Sequence, residues 1–108
     1  MKPGIALLIC AALPCLAAAA AGANFEKGYA LAQEKGCFEC HQLGYRDAGP
    51  SFREIARHYH YNPMASIELA GVVRRGSFGH WGERFVMWPQ PRLSDEEVHQ
   101  LVDWVLAQ

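Results

Sequence analysis

The sequence predicts a single small all-α domain, and three observations support this prediction. Near the C-terminus, apolar residues recur at the spacing of an amphipathic helix, at Val98, Leu101, Val102 and Val105. Upstream, capping residues, glycines and prolines divide the chain into further short helical segments, and no segment alternates apolar and polar residues as a strand does. The run Cys37-Phe38-Glu39-Cys40-His41 follows the first of these segments, in a chain of only 108 residues.

Residues 1–23 are predicted to be a secretory signal peptide. Lys2 is followed by an apolar run from Ile5 to Ala21, and Ala21-Gly22-Ala23 fits an A-x-A cleavage site. We expect cleavage after Ala23, a domain over residues 24–108 and a periplasmic location. An uncleaved membrane anchor is the alternative, but the run is short for a membrane span. A lipoprotein at Cys15 is disfavoured by the residues before it.

Charge and cysteine content narrow the class of protein. Once Lys2 leaves with the signal peptide, nine basic residues face eleven acidic ones, so the domain carries a formal charge of −2. This excludes a strongly basic nucleic-acid binder. Cys10 and Cys15 belong to the signal peptide, so Cys37 and Cys40 are the two cysteines that the domain keeps.

The first predicted helix runs from Asn24 to Lys35. Asn24 is a suitable N-cap, and Gly36 is a natural stop. Gly28 in the middle of this helix costs roughly 1 kcal/mol relative to alanine, which predicts close contact with another helix.

The next two helices are predicted on either side of Asn62-Pro63. Ser51 is expected to cap a helix that ends near His58 and buries Phe52, Ile55 and Ala56. Asn62-Pro63 then predicts a cap and a first helical residue, for a helix that ends near Arg75. The residues expected to be buried in it are Ile67, Leu69, Ala70 and Val73.

Residues 76–92 show no sustained period and contain Met87. A loop of this length in so small a domain usually carries function. The last helix follows it, opened by a predicted capping box between Ser94 and Glu97.

The C-x-x-C-H run is the attachment signature of a c-type haem. Two thiols at this spacing can add to the two vinyl groups of one porphyrin, and His41 then stands where its imidazole can bind iron as the proximal ligand. A zinc site or a thioredoxin-like dithiol is the alternative for Cys37 and Cys40. Because so small a domain is marginal on side-chain burial alone, we expect the protein without haem to be largely unfolded.

The domain resembles the small bacterial class I cytochromes c of the cytochrome c-551 type. The resemblance extends over nearly all of residues 24–108, and its most specific part is Gly-Ser-x-Gly-x-Trp-Gly at residues 76–82, followed by a later methionine. The other matching motifs are Gly36-Cys37-x-x-Cys40-His41, Gly49-Pro50-x-Phe52-x-x-Ile55-Ala56, Glu68-Leu69-Ala70, Met87-x-Pro89, Ser94-Asp95-x-Glu97 and Trp104-Val105-Leu106. The resemblance implies a class I cytochrome c fold, in which four or so short helices surround one covalently bound haem c.

The resemblance also implies roles for single residues. Met87 would be the sixth iron ligand, and Pro50 would offer its backbone carbonyl to the ring N–H of His41. Trp81 would reach one haem propionate, with plain core packing as the alternative. Arg74 is a candidate to neutralise the other propionate, with a solvated surface charge as the alternative. Gly28 and Trp104 would mark the crossing of the first and last helices.

The segment Val86-Met87-Trp88-Pro89-Gln90 departs from the family pattern. Gln90 stands where the family has an asparagine that hydrogen-bonds the ligand sulfur, and Trp88 is expected either against the haem edge or exposed as a docking surface. Met64 competes with Met87 as a ligand but is expected to be a core side chain. The remaining histidines are expected at the surface, with His80 near the haem rim: His58, His60, His80 and His99.

The leading functional hypothesis is a periplasmic one-electron carrier, not an enzyme, that docks transiently with donor and acceptor proteins at its haem edge. A dedicated haem subunit of a periplasmic dehydrogenase is the second hypothesis. A gas or redox sensor in which Met87 is displaced is the third.

Overall fold

The computed structural model describes residues 1–6 and 13–108, and part of the predicted signal peptide, including Cys10, lies outside them. This part of the chain forms four α-helices, a 3₁₀ turn and two short strands. In chain order these are α1 (Leu13–Glu34), the 3₁₀ turn (Cys37–Glu39), α2 (Phe52–Tyr59), α3 (Ala65–Arg75), β1 (Ser77–Phe78), β2 (Val86–Met87) and α4 (Asp95–Leu106).

Helix α1 begins well before the predicted start. Asn24 lies inside the helix, so the prediction that it is the N-cap is wrong for this chain. The alanine-rich stretch before Asn24 has high helix propensity and carries the helix through that position. Residues 17–27 are exposed. Among the described residues, no helix combines the length and apolar character needed to cross a membrane.

Helices α2 and α4 both begin with a complete capping box. The Ser51 side chain accepts a hydrogen bond from the Glu54 N–H at 3.1 Å, and the Glu54 side chain accepts one from the Ser51 N–H at 2.9 Å. Ser94 and Glu97 make the same pair of bonds. The starts predicted for these two helices are confirmed.

Helix α3 differs from its prediction at the N-terminus and on one face. Asn62 Oδ1 accepts a hydrogen bond from the Met64 N–H at 2.8 Å, so Asn62 and Pro63 form a turn before the helix. The expectation that Ile67 is buried is wrong, because this residue is 68% exposed. Leu69 is buried and lies on the other face of the helix.

The core is centred on the crossing of α1 and α4. A Cβ atom at Gly28 would overlap the Trp104 side chain, which confirms the predicted close approach. Trp104 packs against the rings of Phe25 and Tyr29, each at a centroid distance of 6.1 Å. Ala32, one turn further along α1, is fully buried.

Strands β1 and β2 form an antiparallel hairpin that the sequence did not predict. Ser77 pairs with Met87, and Phe78 pairs with Val86. Two-residue strands are too short to show alternation in the sequence. After the hairpin, the Gln90 N–H donates to the Val73 carbonyl at 3.0 Å and ties the chain back to α3.

Candidate functional site

The Cys37–His41 segment is a tight turn. Gly36 has φ 77°, which favours glycine, and the turn follows directly. The Cys37 carbonyl accepts hydrogen bonds from the N–H groups of Cys40, at 3.3 Å, and His41, at 3.0 Å. The backbone therefore brings the two thiols and the imidazole to one short loop.

The two thiols differ in environment. Cys37 is half-buried and Cys40 is exposed. Burial raises the pKa of the Cys37 thiol. A dithiol redox centre normally lowers the pKa of its attacking cysteine, so this environment does not favour the thioredoxin-like alternative. In the described part of the chain, no group of three or more His, Cys, Asp or Glu residues could hold a metal ion by itself.

The His41 ring is held on three sides. Its Nδ1 lies 2.7 Å from the Pro50 carbonyl oxygen. This is the hydrogen bond that the family resemblance implies. The Phe52 ring stacks on the imidazole with a centroid distance of 5.2 Å and an angle of 28° between the planes. Gly49 backs the ring so closely that a Cβ atom there would lie 2.9 Å from Cε1. A carbonyl that accepts from Nδ1–H leaves Nε2 with a free lone pair, which is what a metal ligand needs.

A cavity of about 280 Å³ lies beside this loop. The loop, the hairpin and helices α2, α3 and α4 all contribute to its wall, which is mostly apolar. It brings together seven of the eight predicted cofactor-binding residues, namely Cys37, Cys40, His41, Pro50, Trp81, Met87 and Gln90.

Met87 reaches the cavity from β2, where it pairs with Ser77. Gly76 fixes the entry into the hairpin with φ 74°, and a Cβ atom there would overlap the Met87 carbonyl oxygen. Met64 is 48% exposed and does not line the cavity. The expectation that Met64 is a core side chain is therefore wrong.

Arg74 is the predicted residue that the structure does not bring to the cavity. Its Nη1 lies 2.7 Å from Asp95 Oδ1, and Arg74 is not part of the cavity wall. Asp95 stands in the first turn of α4, so this ion pair links α3 to α4.

The two departures from the family pattern lie side by side at the mouth of the cavity. Gln90 Nε2 donates to the Trp88 carbonyl at 3.1 Å. Trp88 lines the cavity and yet is 75% exposed. The Gln90 amide thus stabilises the turn that follows Met87.

One side chain at the site, Phe52, was missed as a site residue. Phe52 was expected only in the core, and its position two residues after Pro50 was the available signal for a contact with His41. His58 is exposed, as expected, and its ring packs on Trp81 at a centroid distance of 5.0 Å. His80 does lie at the cavity, as expected.

The donor set fits a covalently attached haem. Two thiols at the C-x-x-C spacing, an imidazole with one nitrogen free and a thioether all face one mostly apolar cavity. A structural zinc site needs four ligands of the Cys, His, Asp or Glu type, and among the described residues no group of even three His, Cys, Asp or Glu is placed to hold a metal ion. Fold and site together define a c-type haem protein.

Comparisons with known proteins support the same class of protein. The cytochrome c family model matches residues 25–108. Cytochrome c-551 of Pseudomonas aeruginosa is 36% identical over 108 residues, covering 100% of this chain and 99% of the relative. Cytochrome c-552 of Nitrosomonas europaea is 37% identical over 93 residues, covering 82% of this chain and 89% of the relative. The crystal structure of wild-type Nitrosomonas europaea cytochrome c552 superposes with a TM-score of 0.69 at 36% identity, covering 72% of this chain and 95% of the other.

The chain belongs to the cytochrome c family, as a small class I member. The predicted all-α class I fold is confirmed. The family carries haem c bound covalently through a cysteine pair, which here is Cys37 and Cys40. The protein is a haem-based electron carrier that interacts with redox partners.

Proposed function

We propose that the chain is a periplasmic one-electron carrier whose single haem c is ligated by His41 and Met87. The observation that carries the proposal is that both residues line the same cavity as Cys37 and Cys40. A haem iron with these two axial ligands changes oxidation state by one electron and has no open site for oxygen or peroxide. This favours electron transfer over catalysis.

Neighbouring residues of the fold hold both proposed ligands in position. Pro50 and Phe52 hold the His41 imidazole, while the hairpin and Gly76 hold Met87. A carrier benefits from ligands that do not move between oxidation states, because less reorganisation accompanies each electron transferred. Thioether ligation also raises the reduction potential.

The visible spectrum of the matured protein tests the ligand assignment. The oxidised wild type should show the weak far-red sulfur-to-iron band, and the reduced wild type should not bind carbon monoxide. Met87→Ala should lose the band and gain carbon monoxide binding, while the matched control Met64→Ala should behave as wild type. A wild type that lacks the band and binds carbon monoxide would support the sensor hypothesis instead.

The periplasmic part of the proposal depends on export and on cleavage after Ala23. Residues 17–24 are exposed, and the aromatic packing of the domain begins at Phe25. Cleavage at this point therefore removes nothing from the described core. Intact-mass measurement of the protein from the periplasmic fraction should give a chain that starts at Asn24, and retention of residues 1–23 would contradict it.

A dehydrogenase subunit is the second candidate function, and one surface favours it. Phe78, Val86 and Trp88 are 76%, 43% and 75% exposed, and Phe78 and Val86 form a cross-strand pair. Contiguous exposed apolar side chains mark protein interfaces. Size-exclusion chromatography of the native protein, extracted without detergent, distinguishes a free carrier from a stable complex by its elution volume.

A further inference from the structure

Two exposed histidines from different elements meet beside Trp81. His58 lies in the last turn of α2, and His80 lies in the loop that joins the two strands. Their ring centroids are 5.6 Å apart with 83° between the planes. Each ring also packs on Trp81, at centroid distances of 5.0 Å for His58 and 6.0 Å for His80. Neither imidazole has a part in the proposed iron ligation.

This spacing suits a divalent transition metal held between the two rings. Imidazole nitrogen is a preferred ligand for zinc, copper and nickel. A tetrahedral ion bound by two ring nitrogens at about 2.0–2.1 Å places the ring centroids roughly 5 Å apart. The observed separation of 5.6 Å is close to that value. Both side chains are exposed, which leaves them room to rotate so that a nitrogen of each ring faces the ion. Trp81 supports both rings and limits their other orientations.

We infer that His58 and His80 form a two-histidine site for a divalent transition metal ion, with water completing its coordination. In the part of the chain that the structure describes, no third His, Cys, Asp or Glu joins them. Water would therefore occupy the other coordination positions of the ion. The affinity of the site would come from simultaneous binding by the two imidazoles. Copper(II) should bind more tightly than zinc or nickel.

A metal ion at this position would act on electron transfer. His80 lines the haem cavity, so the ion would bring positive charge close to it. Positive charge favours the reduced iron, which raises the reduction potential, and by linkage the reduced protein would bind the ion more tightly. This consequence rests on the proposed carrier function, whereas the metal site itself does not.

Zinc titration of the oxidised holoprotein by isothermal calorimetry tests the site, because zinc is redox-inert. The wild type should bind zinc saturably, and H58Q and H80Q should each weaken binding at least about tenfold, since each leaves a single imidazole. H60Q and H99Q are matched controls, because both histidines are exposed and neither belongs to the pair. They should bind zinc as the wild type does.

The visible spectrum of each variant shows whether its haem site is intact. Neither His58 nor His80 is a proposed iron ligand, so H58Q and H80Q should both keep the far-red sulfur-to-iron band, and this band checks that the ligation of the haem is intact. No saturable binding by the wild type, or equal binding by wild type, H58Q and H80Q, would overturn the site. The reduction potential of the haem is then measured with and without zinc. If zinc binds as expected but this potential does not change, the metal site is retained and its effect on electron transfer is rejected.

Discussion

At the scale of single residues, His41 shows how neighbours prepare a ligand. The Pro50 carbonyl fixes the ring tautomer, and the Phe52 ring fixes the plane of the imidazole. The Pro50 contact was predictable because a family resemblance carries backbone partners along with sequence position. The Phe52 stacking was not, since an apolar residue at helical spacing predicts burial but not which ring it will touch.

The Arg74 prediction shows the limit of sequence reasoning about charges. A basic residue near the expected haem rim can reach several anions, and the sequence does not rank them. In the structure, the packing of α4 places Asp95 beside Arg74, and the two side chains form an ion pair. The choice of partner thus depended on a tertiary contact.

Glu54→Gln should destabilise the protein at neutral pH and have little effect in acid. The hydrogen bond from Arg46, at 2.7 Å, and that from the Ser51 N–H lower the pKa of the Glu54 carboxyl. A lowered folded-state pKa gives stability that is present above the ordinary carboxyl pKa and lost as the pH falls through the folded-state value. Glutamine has one acceptor oxygen, which can keep the Ser51 half of the capping box. Its amide nitrogen cannot accept from Arg46, so the change removes the carboxylate charge together with the Arg46 hydrogen bond.

Denaturant unfolding at about pH 7 and about pH 3 measures this effect. Because Arg46 is half-exposed, the loss at neutral pH should be no more than about 1 kcal/mol. Glu83→Gln is the control, an exposed loop carboxylate with no hydrogen bond or ion pair to the described residues. A Glu54→Gln deficit of the same size at both pH values would show that the charge is not responsible.

At the scale of elements, the α1–α4 crossing depends on one glycine. Gly28→Ala should lower the free energy of unfolding by about 1–3 kcal/mol, because the added methyl group overlaps Trp104 in a filled core. Gly71→Ala is the matched control, since it is also a buried mid-helix glycine but its Cβ would meet only the movable end of the Arg75 side chain. There, helix propensity predicts no loss, or a gain of up to about 1 kcal/mol. Thermal unfolding of both holoproteins gives the comparison, and equal losses would reject the close approach.

The hairpin makes a second element-scale prediction, with Gly76 and Gly79 as a matched pair. Both have positive φ, 74° and 72°, but a Cβ at Gly76 would overlap the Met87 carbonyl whereas one at Gly79 would meet nothing within 4 Å. Gly79→Ala should cost only the backbone strain, about 1–2 kcal/mol, and keep the far-red band. Gly76→Ala should cost more and weaken that band, because it displaces Met87. Identical spectra in the two variants would contradict this role of the hairpin.

The elements divide into those that local signals predict and those that they do not. The capping boxes of α2 and α4 are satisfied within four residues, so the sequence alone predicted both helix starts. The start of α3 and the outward face of Ile67 depend on how that helix packs, and the start of α1 depends on residues before the predicted domain boundary. The hairpin is held by Gly76 and by the Gln90–Val73 hydrogen bond, which link positions that no local pattern connects.

At the scale of the whole molecule, the fold is arranged around a space that its own side chains do not fill. Helices α1 and α4 cross in the core, while the hairpin and helices α2, α3 and α4 contribute to the wall of the cavity. The sequence predicted this arrangement indirectly, because the haem-attachment motif implied a large apolar group inside a small domain. It did not predict that the segment carrying Met87 folds as a two-stranded hairpin.

The chain without haem should therefore be largely unfolded. A cavity of about 280 Å³, at about 24 cal/mol per Å³, corresponds to a cost on the order of 7 kcal/mol, which is comparable with the whole stability of a typical domain, about 5–15 kcal/mol. Far-UV circular dichroism of a Cys37→Ala/Cys40→Ala variant should show much less helix than the holoprotein and no cooperative thermal transition. Met87→Ala with its haem attached is the control and should keep its helical signal, because it loses one ligand but not the filled cavity. A native-like, cooperatively unfolding double variant would mean that the helices alone hold the fold.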